Sequence, residues 1–147
     1  MKFIVAALVI GLSICSALAQ EQNAEQLVAS KQKADMTYRQ LMEILGEATS
    51  MIQMGIVREN RQMVKTGADI VLHHPAPNHK PWAIMDAVDQ EGFKQSLLTF
   101  DPILDRHAGR AAAEAAKGNW TEASRALSDL DASCIACHAM WRDKARW

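Results

Sequence analysis

The chain has 147 residues, with sixteen Lys and Arg against seventeen Asp and Glu, so its formal charge is −1; 49% of its residues are hydrophobic. That length supports one core and is too short for two independent domains. A near-neutral balance without a basic run argues against nucleic acid as a partner.

Met1 and Lys2 precede an apolar run from Phe3 to Ile14, which is followed by Ser16, Ala17, Leu18 and Ala19. A run of about 12 apolar residues is too short to span a bilayer, and small residues at 17 and 19 suit a signal peptidase. The reading is a signal peptide over residues 1–19 and an exported, periplasmic domain over residues 20–147. A lipid anchor at Cys15 is the rival, but Ile14 stands where such a signal wants a very small residue. No later apolar run is long enough for a membrane span. With the leader removed, two cysteines remain.

Residues 20–30 are polar and Gln-rich and read as a loosely held arm. Helical spacing of Tyr38, Leu41, Leu45, Ala48 and Ile52 predicts a first helix from about Lys33 to Met54, broken at Gly55. Val57, Val64 and Val71 form the stripe of a second helix, which has to end at His74 because Pro75 follows. Residues 75–81 carry three prolines and read as the one substantial loop.

Phe93, Leu97, Phe100, Leu104, Ala108 and Ala111 mark a third helical region from Asp89 to Lys117. Pro102 lies inside it, which leaves either a short helix handing over to a longer one or a single kinked helix. Gly118 and Asn119 close it. Thr121 is the expected cap of a fourth helix reaching about Arg146, with Ala123, Leu127, Leu130, Cys134, Cys137 and Trp141 inward. The fold class expected is all-α, an antiparallel four-helix bundle with covalently bound haem.

The haem enters through Cys134-Ile135-Ala136-Cys137-His138, the attachment pattern of c-type haem. Residues three and four apart share one helix face, so both thiols reach the porphyrin edge while the next imidazole turns toward iron. A thioredoxin-like pair would sit at a helix start after a strand, and zinc would need further ligands. Neither setting exists here.

A CxxCH motif near the end of an exported four-helix chain of this size resembles the class II cytochromes c, the cytochrome c′ family. Tyr38-Arg39-Gln40 early in the first helix and Arg142 one turn after the histidine add to the likeness. The resemblance implies one haem c bound at Cys134 and Cys137, His138 as proximal ligand, and Arg39 beside the haem propionates. It also implies pairing into a homodimer through the first two helices. The His-His-Pro stretch departs from the family pattern.

In an up-and-down bundle the end of the fourth helix shares one end of the molecule with the start of the first and the end of the second. Met42 is therefore a candidate distal ligand, placed like the methionine of low-spin class II cytochromes, with Met36 a poorer one. His74, or His73 beside it, is another. Glu43 lies near the family's distal-pocket position. His79 reads as solvated, His107 as a hydrogen-bonded core residue, and Trp141 as a neighbour of the haem. Trp82, Trp120 and Trp147 read as packing.

A filled sixth position implies an electron carrier working with a redox partner protein, whereas an open one implies binding or scavenging of small gases such as NO or CO. No pattern selects an enzyme of peroxidase type.

Overall fold

The computed structural model describes residues 23–146, so the expected signal peptide at 1–19 lies outside the described residues. The described chain is all-α apart from one pair of two-residue strands. Among these residues no helix is long and apolar enough to cross a membrane.

The expected arm contains a helix, α1 (Ala24–Ser30), which sequence reading missed. Asn23 Oδ1 accepts from Gln26 N at 2.8 Å, and Asn23 N donates to Gln26 Oε1 at 3.2 Å. This reciprocal cap satisfies two backbone donors, and Ala24 and Val28, one turn apart, are buried. The chain then extends as β1 (Lys33–Ala34), so the next helix starts later than expected. Thr37 and Gln40 form a second capping box, and α2 runs Tyr38–Val57.

Gly55 does not break α2. It is buried where α2 meets α3 (Arg61–Leu72), and a Cβ there would lie 2.7 Å from both Val64 Cγ2 and Val64 N. Gly67 on α3 is the reciprocal case, since its Cβ would stand 2.7 Å from the Ala48 carbonyl oxygen. The glycine expected to punctuate the chain instead permits close helix approach. The turn itself falls at Glu59, with φ 52°, and Asn60 caps α3 by accepting from Met63 N at 3.0 Å.

Helix α3 ends at Leu72, two residues earlier than expected, with His73 as its C-cap. The Pro-rich segment pairs β2 (Ala76–Pro77) in parallel with β1, Ala76 N donating to Gln32 O at 2.8 Å and Asn78 N to Ala34 O at 2.9 Å. Asn78 and His79 both take left-handed backbone, φ 49° and 54°, before a 3-10 turn at Pro81–Ile84. Helix α4 (Gln90–Lys117) continues through Pro102, whose ring is exposed.

Gly118, with φ 80°, closes α4. Its N–H donates to Ala115 O, and Asn119 N donates to Glu114 O, a Schellman arrangement. Helix α5 is Trp120–Trp141 with Asn119 as N-cap, so Thr121 lies inside its first turn and is not the cap. Beyond Trp141 the chain tightens into a 3-10 turn at Arg142–Lys144, and the fourth long helix does not reach Arg146.

Helix α2 packs on α3 and α5, α3 on α4, and α4 along α5. The core among them is rich in alanine: Ala48, Ala68, Ala108, Ala111, Ala115, Ala123 and Ala126, with Ile52, Val64 and Leu130 between. Short side chains bring the backbones together in this region. Toward the C-terminal end of α5 the facing residues become large and the helices enclose a cavity.

Candidate functional site

The cavity holds about 1250 Å³ of unfilled space, part of it continuous with solvent. Its walls are mostly apolar: Leu27 and Val28 from α1, Leu41, Met42 and Leu45 from α2, Phe93, Leu97, Phe100 and Leu104 from α4. Cys134, Cys137, His138 and Trp141 line it from α5. The two sulfurs and the indole, read as inward along the fourth helix, thus border one space, and the exposed His138 borders it with them.

Both cysteines are free and half-buried. Burial pushes the Cys137 thiol up to about 11, with the neighbouring Cys134 adding to the effect. Burial, then the charge of Asp131, raises Cys134 as well. These are protonated thiols in an apolar wall, the opposite of the depressed thiolate that a redox CxxC needs. No group of three or more His, Cys, Asp or Glu able to hold a metal ion occurs among the described residues.

An aromatic chain stiffens the wall beside the motif. Tyr38 meets Phe93 edge-on at 5.7 Å, and Phe93 meets Trp141 edge-on at 5.6 Å. Trp141 Nε1 donates to Ser96 Oγ at 2.8 Å. The indole lies against Gly92, where a Cβ would stand 2.9 Å from its Cη2. Burial raises the Tyr38 hydroxyl well above the usual phenol range, with the charges of Cys137 and Asp101 adding to it.

The polar part of the wall is a cluster that sequence reading did not assemble. His74 is buried; its Nδ1 lies 2.6 Å from Val71 O and its Nε2 3.1 Å from Asp101 Oδ1. Lys31 Nζ reaches the same Asp101 oxygen at 3.0 Å. Burial alone would raise the Asp101 carboxyl, but the His74 hydrogen bond and Lys31 outweigh it and hold it below the ordinary range. Asp105, one turn on, is raised by burial and then by Asp101, and its Oδ1 is buried with no hydrogen-bond partner.

The candidate distal ligands separate on this geometry. Met42 is half-buried and lines the cavity from α2. His74 lines it too, with its ring nitrogens placed against Val71 O and Asp101 Oδ1. His73 is exposed, its Nδ1 2.9 Å from Asp69 O. Met36 lies apart, its carbonyl accepting from Asn78 Nδ2.

Arg39 is exposed in the first turn of α2 and is not among the lining residues; Glu43, also on α2, is exposed. His79 is not simply solvated, since its Nε2 sits 3.1 Å from Lys31 O and ties the loop to the N-terminal segment. His107 is half-buried with Nδ1 buried and unpaired, so the hydrogen bond expected of it is absent there.

The donor set suits a porphyrin. Two protonated thiols one helical turn apart face a large apolar space, an imidazole adjoins the second, and a thioether lines the same space from another helix. No protein-family model, curated protein or solved structure gives a significant match to the chain.

Proposed function

We propose that the chain is a periplasmic monohaem c-type cytochrome built as a four-helix bundle of α2 to α5, carrying electrons to and from a redox partner protein. Cys134 and Cys137 attach haem c, and His138 is its proximal ligand. The observation that carries this reading is the convergence of both half-buried thiols and the imidazole of one CxxCH on the same large apolar cavity. When bound, haem supplies a one-electron couple whose potential depends on axial ligand and burial.

The chain's own residues do the rest. Apolar side chains from α1, α2 and α4 exclude water, which lowers the local dielectric and favours the less charged form of whatever they enclose. Tyr38, Phe93 and Trp141 hold the wall beside the motif rigid, so the enclosed group needs little rearrangement between states. Met42, which lines the cavity from α2, would offer its thioether as a further ligand to the iron. His74 stays locked between Val71 and Asp101.

The test is the optical spectrum of the protein produced with haem-attachment machinery, in both oxidation states and under carbon monoxide. The electron-carrier reading expects six-coordinate, low-spin iron that ignores carbon monoxide, and a Met42→Ala variant that turns high-spin and binds it. High-spin iron in the unaltered protein, with ready binding of carbon monoxide, would overturn electron transfer in favour of gas binding.

A further inference from the structure

One part of the cavity wall is made by two segments held together by hydrogen bonds and ion pairs. Beyond Trp141 the chain turns through Arg142–Lys144 and is extended at Ala145, and both Arg142 and Ala145 line the cavity. The turn before α4 meets this segment and contributes Pro81, Ile84 and Met85 to the same wall. Arg146 N donates to Ile84 O at 2.8 Å, and Arg146 Nη2 donates to Met85 O at 3.0 Å. Arg146 Nη1 pairs with Asp86 Oδ1 at 2.9 Å, and Lys144 Nζ pairs with Asp89 Oδ1 at 2.7 Å.

The two segments are anchored unequally. Met85 and Pro81 are buried, and Met85 O also accepts from Gln90 Nε2 at 3.2 Å, so the turn is held from its own side. Trp141 is fixed by Phe93 and Ser96. The segment that follows it has no such footing: Arg142, Asp143, Lys144 and Arg146 are exposed and Ala145 is half-buried. Its ion pairs lie at the surface, where such pairs contribute little and salt screens them. Helix α1, which also covers the cavity, is fastened differently, since Ala24 and Val28 are buried and Lys31 meets Asp101 largely out of solvent. A segment with few buried contacts and exposed hydrogen bonds is the one that opens first.

We propose that residues 142–146 are a clasp: they hinge just after Trp141, part from the 84–89 turn and open the cavity, beside Cys137 and Trp141, to a small uncharged apolar molecule from solvent. When the clasp leaves, Met85 O keeps its Gln90 donor, while Ile84 O and the released carboxylates of Asp86 and Asp89 meet water, so opening strands no polar group. Closure returns Arg146 to the two carbonyls and to Asp86 and seats Lys144 again on Asp89 and over the Trp141 ring, 5.1 Å from its centroid. The clasp requires only the cavity and its walls, and so stands whether or not haem is the occupant.

The test is the rate at which an uncharged aromatic disulfide, dithiodipyridine, reacts with Cys134 and Cys137 in the reduced, haem-free chain. Cys15→Ser leaves only these two thiols to report, and circular dichroism checks the helices. Asp86→Asn combined with Asp89→Asn should raise the rate about tenfold, and molar salt should raise that of the unaltered clasp about threefold, as expected when exposed pairs are lost or screened. Glu25→Gln, which removes the Lys94 pair at α1, should leave the rate within about twofold, because buried residues still hold that helix. Hydrogen exchange read by mass spectrometry, on the protein produced with haem-attachment machinery, is the second readout, and it decides alone if the haem-free chain lacks its helices. The double variant should speed exchange over residues 142–146 about tenfold and leave residues 24–30 unchanged. Thiol rates unmoved by the double variant, an equal acceleration by Glu25→Gln, or exchange that quickens in both segments alike would each overturn the clasp.

Discussion

Gly55 and Gly67 fix how closely α2 and α3 pack, because the atoms a Cβ would meet include backbone that cannot swing aside. Gly55→Ala or Gly67→Ala should cost about 1–3 kcal/mol in urea unfolding, despite the better helix propensity of alanine. Asp101 is held by His74 and Lys31, and its lowered carboxyl means that the stability it contributes is present above its unfolded value near pH 4 and is lost as pH falls through the folded value. Asp101→Asn should destabilise by roughly 2–4 kcal/mol at pH 7 by removing the carboxylate that both His74 Nε2 and Lys31 Nζ reach, and should flatten stability against pH on the acid side. Little of this cluster could be read from the sequence. Lys31 and Asp101 are seventy positions apart, and nothing local announces that a lysine after a polar arm will turn inward.

At the scale of elements, the caps decide where helices begin. Thr37-x-x-Gln40 and Asn23-x-x-Gln26 are both legible as capping boxes, yet apolar periodicity alone extended the first long helix back to Lys33 and left α1 as an arm. Thr37→Ala should cost about 1 kcal/mol by loss of the cap, read as a lowered thermal midpoint. The inward face of α5 was legible because six inward positions from Ala123 to Trp141 keep one period. Gly55 misled because a glycine in an apolar stripe signals a break or a close approach equally well, and only the partner helix distinguishes them. The left-handed residues Asn78 and His79 have no clear sequence signature beyond their Pro-rich setting; they are held by Asn78 Nδ2 to Met36 O at 3.2 Å and by His79 to Lys31 O.

Across the whole molecule the helices divide into a region closed by small residues and a region opened by large ones. The alanines of α4 and α5 draw the backbones together, while Phe93, Phe100, Leu97 and Trp141 stand around the cavity. Phe93, fully buried between Tyr38 and Trp141, anchors the open region, and Phe93→Ala should cost about 3–5 kcal/mol and loosen the wall beside the cysteines. The most direct measurement of the central claim is the intact mass of the denatured chain after production with haem-attachment machinery. The account predicts a mass raised by one porphyrin and a Soret band that survives denaturation, both lost when Cys134 and Cys137 are replaced together by alanine. A chain weighing only its amino acids, with no Soret band, would contradict it.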